Sequence, residues 1–364
     1  MAYHTRRNAL KLIAAGSAVG IAGCLGDDDT QDDTNGDDSD PGDDEQDTYE
    51  LIWGAHWPNE VVLAEHGGIY FMERVEEESD DRIQFDYHPG GELGGPTEYG
   101  ELLNAGTVDI GPVSPQYDSD LFALNQAGVL PGYATHVESH SRATWELLDA
   151  DDGGILYDAE WEPLDYRPLL PYGSGPMYPL LRGDPIEEIS ELEGLRIRSA
   201  AGVNDWTIDA IGANPEAMSA PDGYTALQQG TLDGNTAVID GIYAFSFQEV
   251  TDYIIINAPM NHFVWVDTIR ADAWNQLPED LQNVMRDVAE ETKEHWLEEQ
   301  QAFNEATLDN LEEDMDFHEL GEDQANTWLE LMDGVTDVYL DFVDDPDTGQ
   351  EAIDTLESVA AEYE

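Results

Sequence analysis

The sequence predicts an α/β fold of two similarly built lobes braced by one long helix, and three observations carry that expectation. The first is the order of its apolar segments, strand, helix, strand, helix, strand, which implies parallel crossover units. The second is a short pattern spelled twice: "LLNAGTVDIG" at 102–111 is echoed by "ALQQGTLDGN" at 226–235, with Gly106 and Gly230 in register. The third is a segment from 277 to 314 without glycine or internal proline. As a helix rising 1.5 Å per residue it would run roughly 50 Å, enough to brace two lobes.

In chain order, residues 1–23 have the layout of a targeting segment: Arg6 and Arg7, an apolar run from Leu10 to Gly23, then Cys24. The run is shorter than the ~20 apolar residues that a membrane-spanning helix needs. "TRRNALK" resembles a twin-arginine export signal and "IAGC" a lipobox, in which Cys24 becomes the lipidated first residue and the membrane anchor. Residues 24–48 read as a tether. From Leu25 to Thr48 they hold 12 acidic residues among 24 and no aromatic, too little apolar surface to fold. The glycines and the one glutamate of this run do not fall at the spacing of a calcium loop. Cys24 is the only cysteine, so no internal disulfide forms.

The folded body opens near Thr48 with "YELIWGAHW", a strand leading into a loop. An amphipathic helix follows through "VVLAEHGGIYFMERVEEES", then a strand at "IQFDYHP", the turn "GGELGG", a helix at "TEYGELLNA" and a strand at "TVDIGPV". A glycine just past the last periodic residue suits a left-handed helix end, and the Thr and branched apolar residue after it open a strand. Both copies of the repeated pattern read this way. After Asp165 a second series begins: "YRPLLPYGSG", "GLRIRSA", a helix through "VNDWTIDAIGA", and a helix and strand around "ALQQGTLDGNTAVI". In the long segment, Leu281, Val284, Met285, Val288, Trp296, Leu297, Phe303 and Leu311 fall largely on one face, which predicts one buried stripe.

Charge narrows the function. The 364 residues include 81 Asp and Glu against 13 Lys and Arg, a net of −68. With Arg6, Arg7 and Lys11 removed alongside residues 1–23, ten basic residues face the same 81 acids, a net of −71. Such a surface repels phosphates, so nucleic acid is excluded as a partner. Molar salt shortens the screening length to roughly 3 Å, and the chain reads as built for brine. Only Lys11 and Lys293 occur, as in halophilic proteins, which fits a halophilic archaeal source. Where cations are this rare, each arginine in a setting unlike the surface gains functional weight.

Several motifs in order resemble the TRAP-type solute-binding proteins, the DctP-like extracytoplasmic receptors for organic acids. They are "GGELGG" followed by "ELLNAGTVDIG", then "ELEGLRIRSA", "IGANPEAMSAPDGYTALQQGTLDG" and "DTIRADAWNQLPEDLQNVM", spread over about residues 50 to 345. The resemblance implies a periplasmic-binding-protein-like fold with mixed sheets, closing over a ligand. It implies a first lobe from 49–172 and about 258–300, and a second from 173–257 and about 301–345. A helix near 278–313 would bridge them, and a C-terminal helix would occupy 346–364. The repeated turns would be matching helix-to-strand junctions of the two lobes. The partners implied are a small organic-acid ligand and the two integral membrane subunits of an ion-coupled transporter, with the lipidated Cys24 holding the receptor on the outer face of the membrane.

Arg196 and Arg198 share a face of the strand "GLRIR". In the family, the arginine at the position of Arg198 clamps the substrate carboxylate through two parallel hydrogen bonds, a geometry that suits guanidinium. Tyr172, Ser174 and Met177 lie in "PYGSGPMYPLL", where glycines allow close approach to a ligand. Pro176 and Met177 stand where some relatives carry Gln or Arg. Asn235 at the end of the second copy, with Thr236 and Asp240 after it, could supply polar or metal-assisting contacts. Trp53, His56 and Trp57 at the end of the first strand, with Ser114 and Tyr117, describe an aromatic pocket with a few polar groups. His136, Glu138 and His140 are read as a polar loop and helix start, because the spacing is not that of a zinc protease motif and no third ligand is evident. "GGELGG" lacks the ending of a phosphate loop. No cofactor, metal ion or catalytic constellation is expected. The alternatives are a receptor for an ATP-driven importer, which would explain the architecture without the motif order, and a secreted hydrolase.

Overall fold

The structure, a computed structural model, describes residues 47–364. The export signal, Cys24 and nearly all of the acidic tether lie outside the described residues. Strands β1 (Tyr49–Gly54), β2 (Ile83–His88), β3 (Ile110–Val113) and β4 (Tyr166–Gly173) come first. Then follow β5 (Tyr178–Leu181), β6 (Arg196–Ser199), β7 (Asn214–Ala217), β8 (Gly234–Ala237), β9 (Tyr253–Ile255), β10 (Val264–Arg270) and β11 (Asp316–His318). They form a five-stranded sheet in the order β2-β1-β3-β10-β4 and a six-stranded sheet in the order β11-β9-β5-β8-β6-β7. Both are mixed: β1 runs parallel to β2 and β3, β6 to β7 and β8, while β10 and β5 pair antiparallel with their neighbours.

Helices cover the sheets. In the first half they are α1 (Tyr70–Glu78), α2 (Tyr99–Asn104) and α3 (Val137–Leu147). Then come α4 (Val203–Ala210), α5 (Ala220–Gln228), α6 (Ile239–Ala244), α7 (Ala271–Gln276) and the long α8 (Glu279–Asp314). The chain ends in α9 (Glu322–Asp333), α10 (Val335–Phe342) and α11 (Pro346–Ala360). It crosses between the sheets at 174–177, at 256–263 and along α8.

The repeated pattern performs the same task in each sheet. Gly106 and Gly230 take left-handed conformations at φ 66° and 72°. The following threonine N–H donates back to Leu102 O in one lobe and to Ala226 O in the other, closing the helix end. The strands start three residues later than the sequence suggests, at Ile110 and Gly234. The intervening aspartates explain the delay. Asp109 N–H donates to Ile52 O while its carboxylate accepts from Ile52 N–H at 2.9 Å. Asp233 repeats both bonds with Arg196, also at 2.9 Å for the carboxylate bond. Each aspartate thus locks its junction onto a neighbouring parallel strand before the ladder begins.

Helix α8 has 36 residues. Leu281, Met285, Val288, Trp296, Leu297 and Leu311 are buried as expected, Val284 is half-buried, and Phe303 is exposed. The stripe fails there because the helix runs past the gap between the sheets, where Gln300 and Thr307 take the inward positions. At the end of the chain, Trp328 of α9 joins the second-lobe cluster around Ile197 and Ile208. Val335, Tyr339 and Val343 instead pack with Leu147, Trp161 and Leu356. The packing therefore changes near 334, before the boundary read at 345.

Candidate ligand-binding cleft

Arg198 sits on β6 opposite Asn235 of β8 and is 3% exposed. Gly223 of α5 lies over its aliphatic stem, where an added Cβ would meet Arg198 Cγ at 2.9 Å. The guanidinium Nε donates to Met218 O at 2.9 Å, and Nη2 reaches Tyr117 Oη at 3.5 Å. Burial pulls its pKa down and Tyr117 opposes that shift, but an arginine stays charged in proteins. Seven of the nine arginines among the described residues are paired with carboxylates. Arg182 is exposed and bonds a carbonyl. Among the described residues Arg198 alone is a buried arginine with no carboxylate beside it, in a chain with a large excess of acidic residues. A buried, uncompensated cation is costly, and that cost favours an anion from outside.

Asn235 is also buried, and neither its amide nitrogen nor its amide oxygen has a partner. Thr236 is turned to structure, its hydroxyl meeting Arg198 O and Asn204 Oδ1. Arg198, Thr236 and Met177 line a narrow cavity of about 70 Å³. It shares Tyr117, Phe245, Phe263 and Trp265 with a wider cavity of about 210 Å³ that also touches His56, Trp57 and Tyr172. The walls form an aromatic lattice centred on Trp265, whose ring lies 4.7 Å from His56, 5.5 Å from Trp57, 5.7 Å from Tyr117 and 5.2 Å from Phe263. At the wide end stand Asp240, Gln300 and Asn304. Burial raises the pKa of Asp240, opposed by backbone N–H groups at the start of α6 and by Gln300. Burial drops His56 to a pKa of about 3, so its ring is neutral near pH 7.

Of the residues expected at the site, Arg198, Tyr172, Met177, Thr236, Asp240, His56, Trp57 and Tyr117 line this space, and Ser174 reaches its edge. The Ser174 hydroxyl is committed elsewhere, donating to Gly175 O and accepting from Phe263 N–H, which pins two interlobe crossings together. Trp53, Ser114 and Asn235 do not line it. Trp53 is buried in the first-lobe core against Phe71 and Phe85, and Ser114 bonds Gln116. The strand ends at Gly54, so the chain turns before His56 and Trp57 and sends these two to the cleft. Sequence reading missed Phe263, Trp265, Gln300 and Asn304. The alternating aromatics of "HFVWVD" were the available signal.

His140 is a buried core residue, where a polar loop and helix start was expected. Its ring stacks on His262 at 4.1 Å and contacts Ser174 O and Gly128 O, while His136 caps α3.

Behind the cleft, Tyr172 donates to the buried Asp267 at 3.1 Å. Burial raises this carboxyl from 3.8 to about 7. The folded chain therefore holds the proton more tightly than the unfolded chain. The resulting stability is present below about pH 4 and is lost as the pH rises to about 7, a few kcal/mol at full extent. Asp267→Asn, which keeps the shape without the charge, is expected to raise the melting temperature at pH 8 and to leave it nearly unchanged at pH 4. Equal effects at both values in thermal melts would contradict the assignment.

The chain matches the family model described as bacterial extracellular solute-binding protein, family 7 (DctP), over residues 57–341. It is 25% identical over 244 residues to a solute-binding protein of Roseobacter denitrificans, covering 66% of this chain and 72% of the relative. Its fold is similar to that of a TRAP solute-binding protein from Rhodoferax ferrireducens in complex with copurified benzoate. The TM-score there is 0.75 at 21% identity, covering 87% of this chain and 98% of that one. It is also similar to a TRAP periplasmic solute-binding protein of Roseobacter denitrificans with bound β-D-glucuronate, at a TM-score of 0.73 and 18% identity, covering 85% and 99%. Fold likeness is therefore nearly equal for a receptor bound to an aromatic acid and for one bound to a sugar acid.

Proposed function

The chain belongs to the DctP family of bacterial extracellular solute-binding proteins, family 7, and on that premise we propose that it captures a single-ring aromatic carboxylate between its lobes and delivers it to a TRAP-type ion-coupled membrane transporter. The observation that carries this reading is the buried, carboxylate-free Arg198 in a narrow cavity that shares the aromatic walls Tyr117, Phe245, Phe263 and Trp265 with the wider one. An apolar cavity of roughly 150 Å³ holds benzene, so the 210 Å³ here suits one ring with its substituents. In this arrangement Arg198 clamps the carboxylate, and Asn235 donates its unpaired amide N–H to it. The ring lies against Trp265, and Asp240 and Gln300 receive a ring hydroxyl at the far end. A sugar acid would leave many hydroxyls facing aromatic walls with few partners, which is costly.

Calorimetry in molar potassium chloride with benzoate, 3-hydroxybenzoate, glucuronate and succinate tests the reading, after native mass spectrometry of whatever co-purifies. The expected order places 3-hydroxybenzoate first and benzoate second. Tight binding of glucuronate or succinate with no binding of either benzoate would overturn the aromatic assignment while leaving the family intact.

Anchoring belongs to the same proposal and rests on the sequence. Lipidation of Cys24 would hold the receptor at the outer face of the membrane, with the acidic tether separating it from the lobes. Cys24→Ser is expected to move the protein from the membrane fraction to the medium with ligand affinity unchanged, since the tether keeps the anchor away from the cleft. A variant that stays in the membrane fraction would remove the lipobox reading.

A further inference from the structure

His295 and Glu299 stand four residues apart on α8 and so share one face of that helix. Facing them is His66, on a π-helical turn at Leu63–Ile69 that runs directly into α1. His66 Nδ1 lies 3.2 Å from His295 Nε2, and His66 Nε2 lies 3.9 Å from Glu299 Oε2. One ligand atom from each of the three residues falls within 4.8 Å of the other two. The orientation of His295 is already set: Tyr70 stacks on its ring at 4.1 Å and 26°, and the Tyr70 hydroxyl donates to Glu291 at 2.6 Å.

We propose that His66, His295 and Glu299 form a binding site for a divalent transition metal of the zinc class, joining the Leu63–Ile69 turn to the long helix. Two ring nitrogens 3.2 Å apart, each about 2.1 Å from a shared ion, subtend roughly 100° at it, close to tetrahedral. The Glu299 side chain is 46% exposed, and a rotamer change brings an oxygen to the third position. The fourth is open to water. Two imidazoles and one carboxylate select zinc, nickel or copper over magnesium and calcium, which take all-oxygen sites. This distinction matters on a surface so rich in carboxylates, where hard cations gather without specificity. The site lies beside the ligand cleft, because Leu63 on one partner and Trp296 and Gln300 on the other line the cavity. A bound ion braces the first-lobe wall of the cleft, and its presence does not depend on which ligand the cleft takes.

The test is zinc titration by calorimetry on untagged protein in molar potassium chloride, with a tenfold excess of magnesium to occupy carboxylates. One zinc ion per chain is expected, with a rise in melting temperature that EDTA reverses. His66→Gln and His295→Gln should each weaken zinc binding at least about 100-fold and abolish the rise, since even outer partners of a metal site are worth 10- to 100-fold. Glu299→Gln, at an exposed position where folding is not at stake, should weaken it about tenfold or more. Circular dichroism of the metal-free variants should match the parent. Absence of zinc binding under these conditions, or binding equal in the parent and in Glu299→Gln and His295→Gln, would overturn the proposal.

Discussion

Arg198→Ala is expected to weaken binding of the carboxylate ligand by about 30-fold to several thousand-fold, which corresponds to roughly 2 to 5 kcal/mol. The magnitude follows from the setting. The guanidinium is 3% exposed with Nε committed to Met218 O, and among the described residues Arg198 is the one cation lining the narrow cavity. Without them the ligand carboxylate would sit unpaired in a closed, poorly hydrated space. Arg198→Lys keeps the charge but loses the planar fork and should fall between the parent and the alanine variant. Arg196→Ala is the control. Arg196 lies two residues away on the same strand, is exposed, and is held by Asp233 through its backbone N–H and its side chain. It should bind nearly normally. Calorimetry in high salt checks the series; equal losses at both arginines would assign the effect to bulk charge, and no loss at Arg198 would place the carboxylate elsewhere.

Lowering the salt from molar to 50 mM potassium chloride is expected to cost the folded body most of its stability. The folded state of a typical protein is favoured by only ~5 to 15 kcal/mol. Here 81 acidic residues face few cations, and the ion pairs that do form, such as Arg270 with Asp109 and Arg142 with Glu294, neutralise a small fraction of them. At 0.1 M salt the screening length is about 10 Å, so most neighbouring carboxylates repel one another; at 1 M it is about 3 Å and that repulsion is confined to direct contacts. A fall in melting temperature of at least about 10 °C is expected, given roughly 2 to 4 °C per kcal/mol for domains of 150–250 residues. An unchanged melting temperature would remove the argument for adaptation to brine. The same screening allows an anionic ligand to approach a strongly acidic receptor, leaving affinity to the local geometry at Arg198.

The chain by itself determined much of its local structure. Glycine past a helix end, Thr and a branched residue, then Asp, specify a junction whose bonds are local or reach one adjacent strand, and so both copies were legible. The long helix was legible because 36 residues without Gly or Pro have few other conformations. Arg198 stood out because cations are scarce and because its place in "GLRIR" resembles that of the family's carboxylate-binding arginine. Tertiary structure decided the rest. A residue facing the cleft and one facing the core are both excluded from water, so Trp53, buried against Phe71, and Trp57, lining the cavity, look alike in a one-dimensional pattern. Phe303 fits the apolar stripe of α8 yet is exposed, because the face of the helix that is covered at the gap between the lobes is the one carrying Gln300 and Thr307. Trp57, Tyr117 and Trp265 meet only when β1, β3 and β10 align in one sheet, and His66 meets His295 only when a turn from the start of the body packs on a helix 229 residues later. Such contacts are set by sheet order and helix packing, which depend on the burial of the whole chain and have no signature in any short stretch of it.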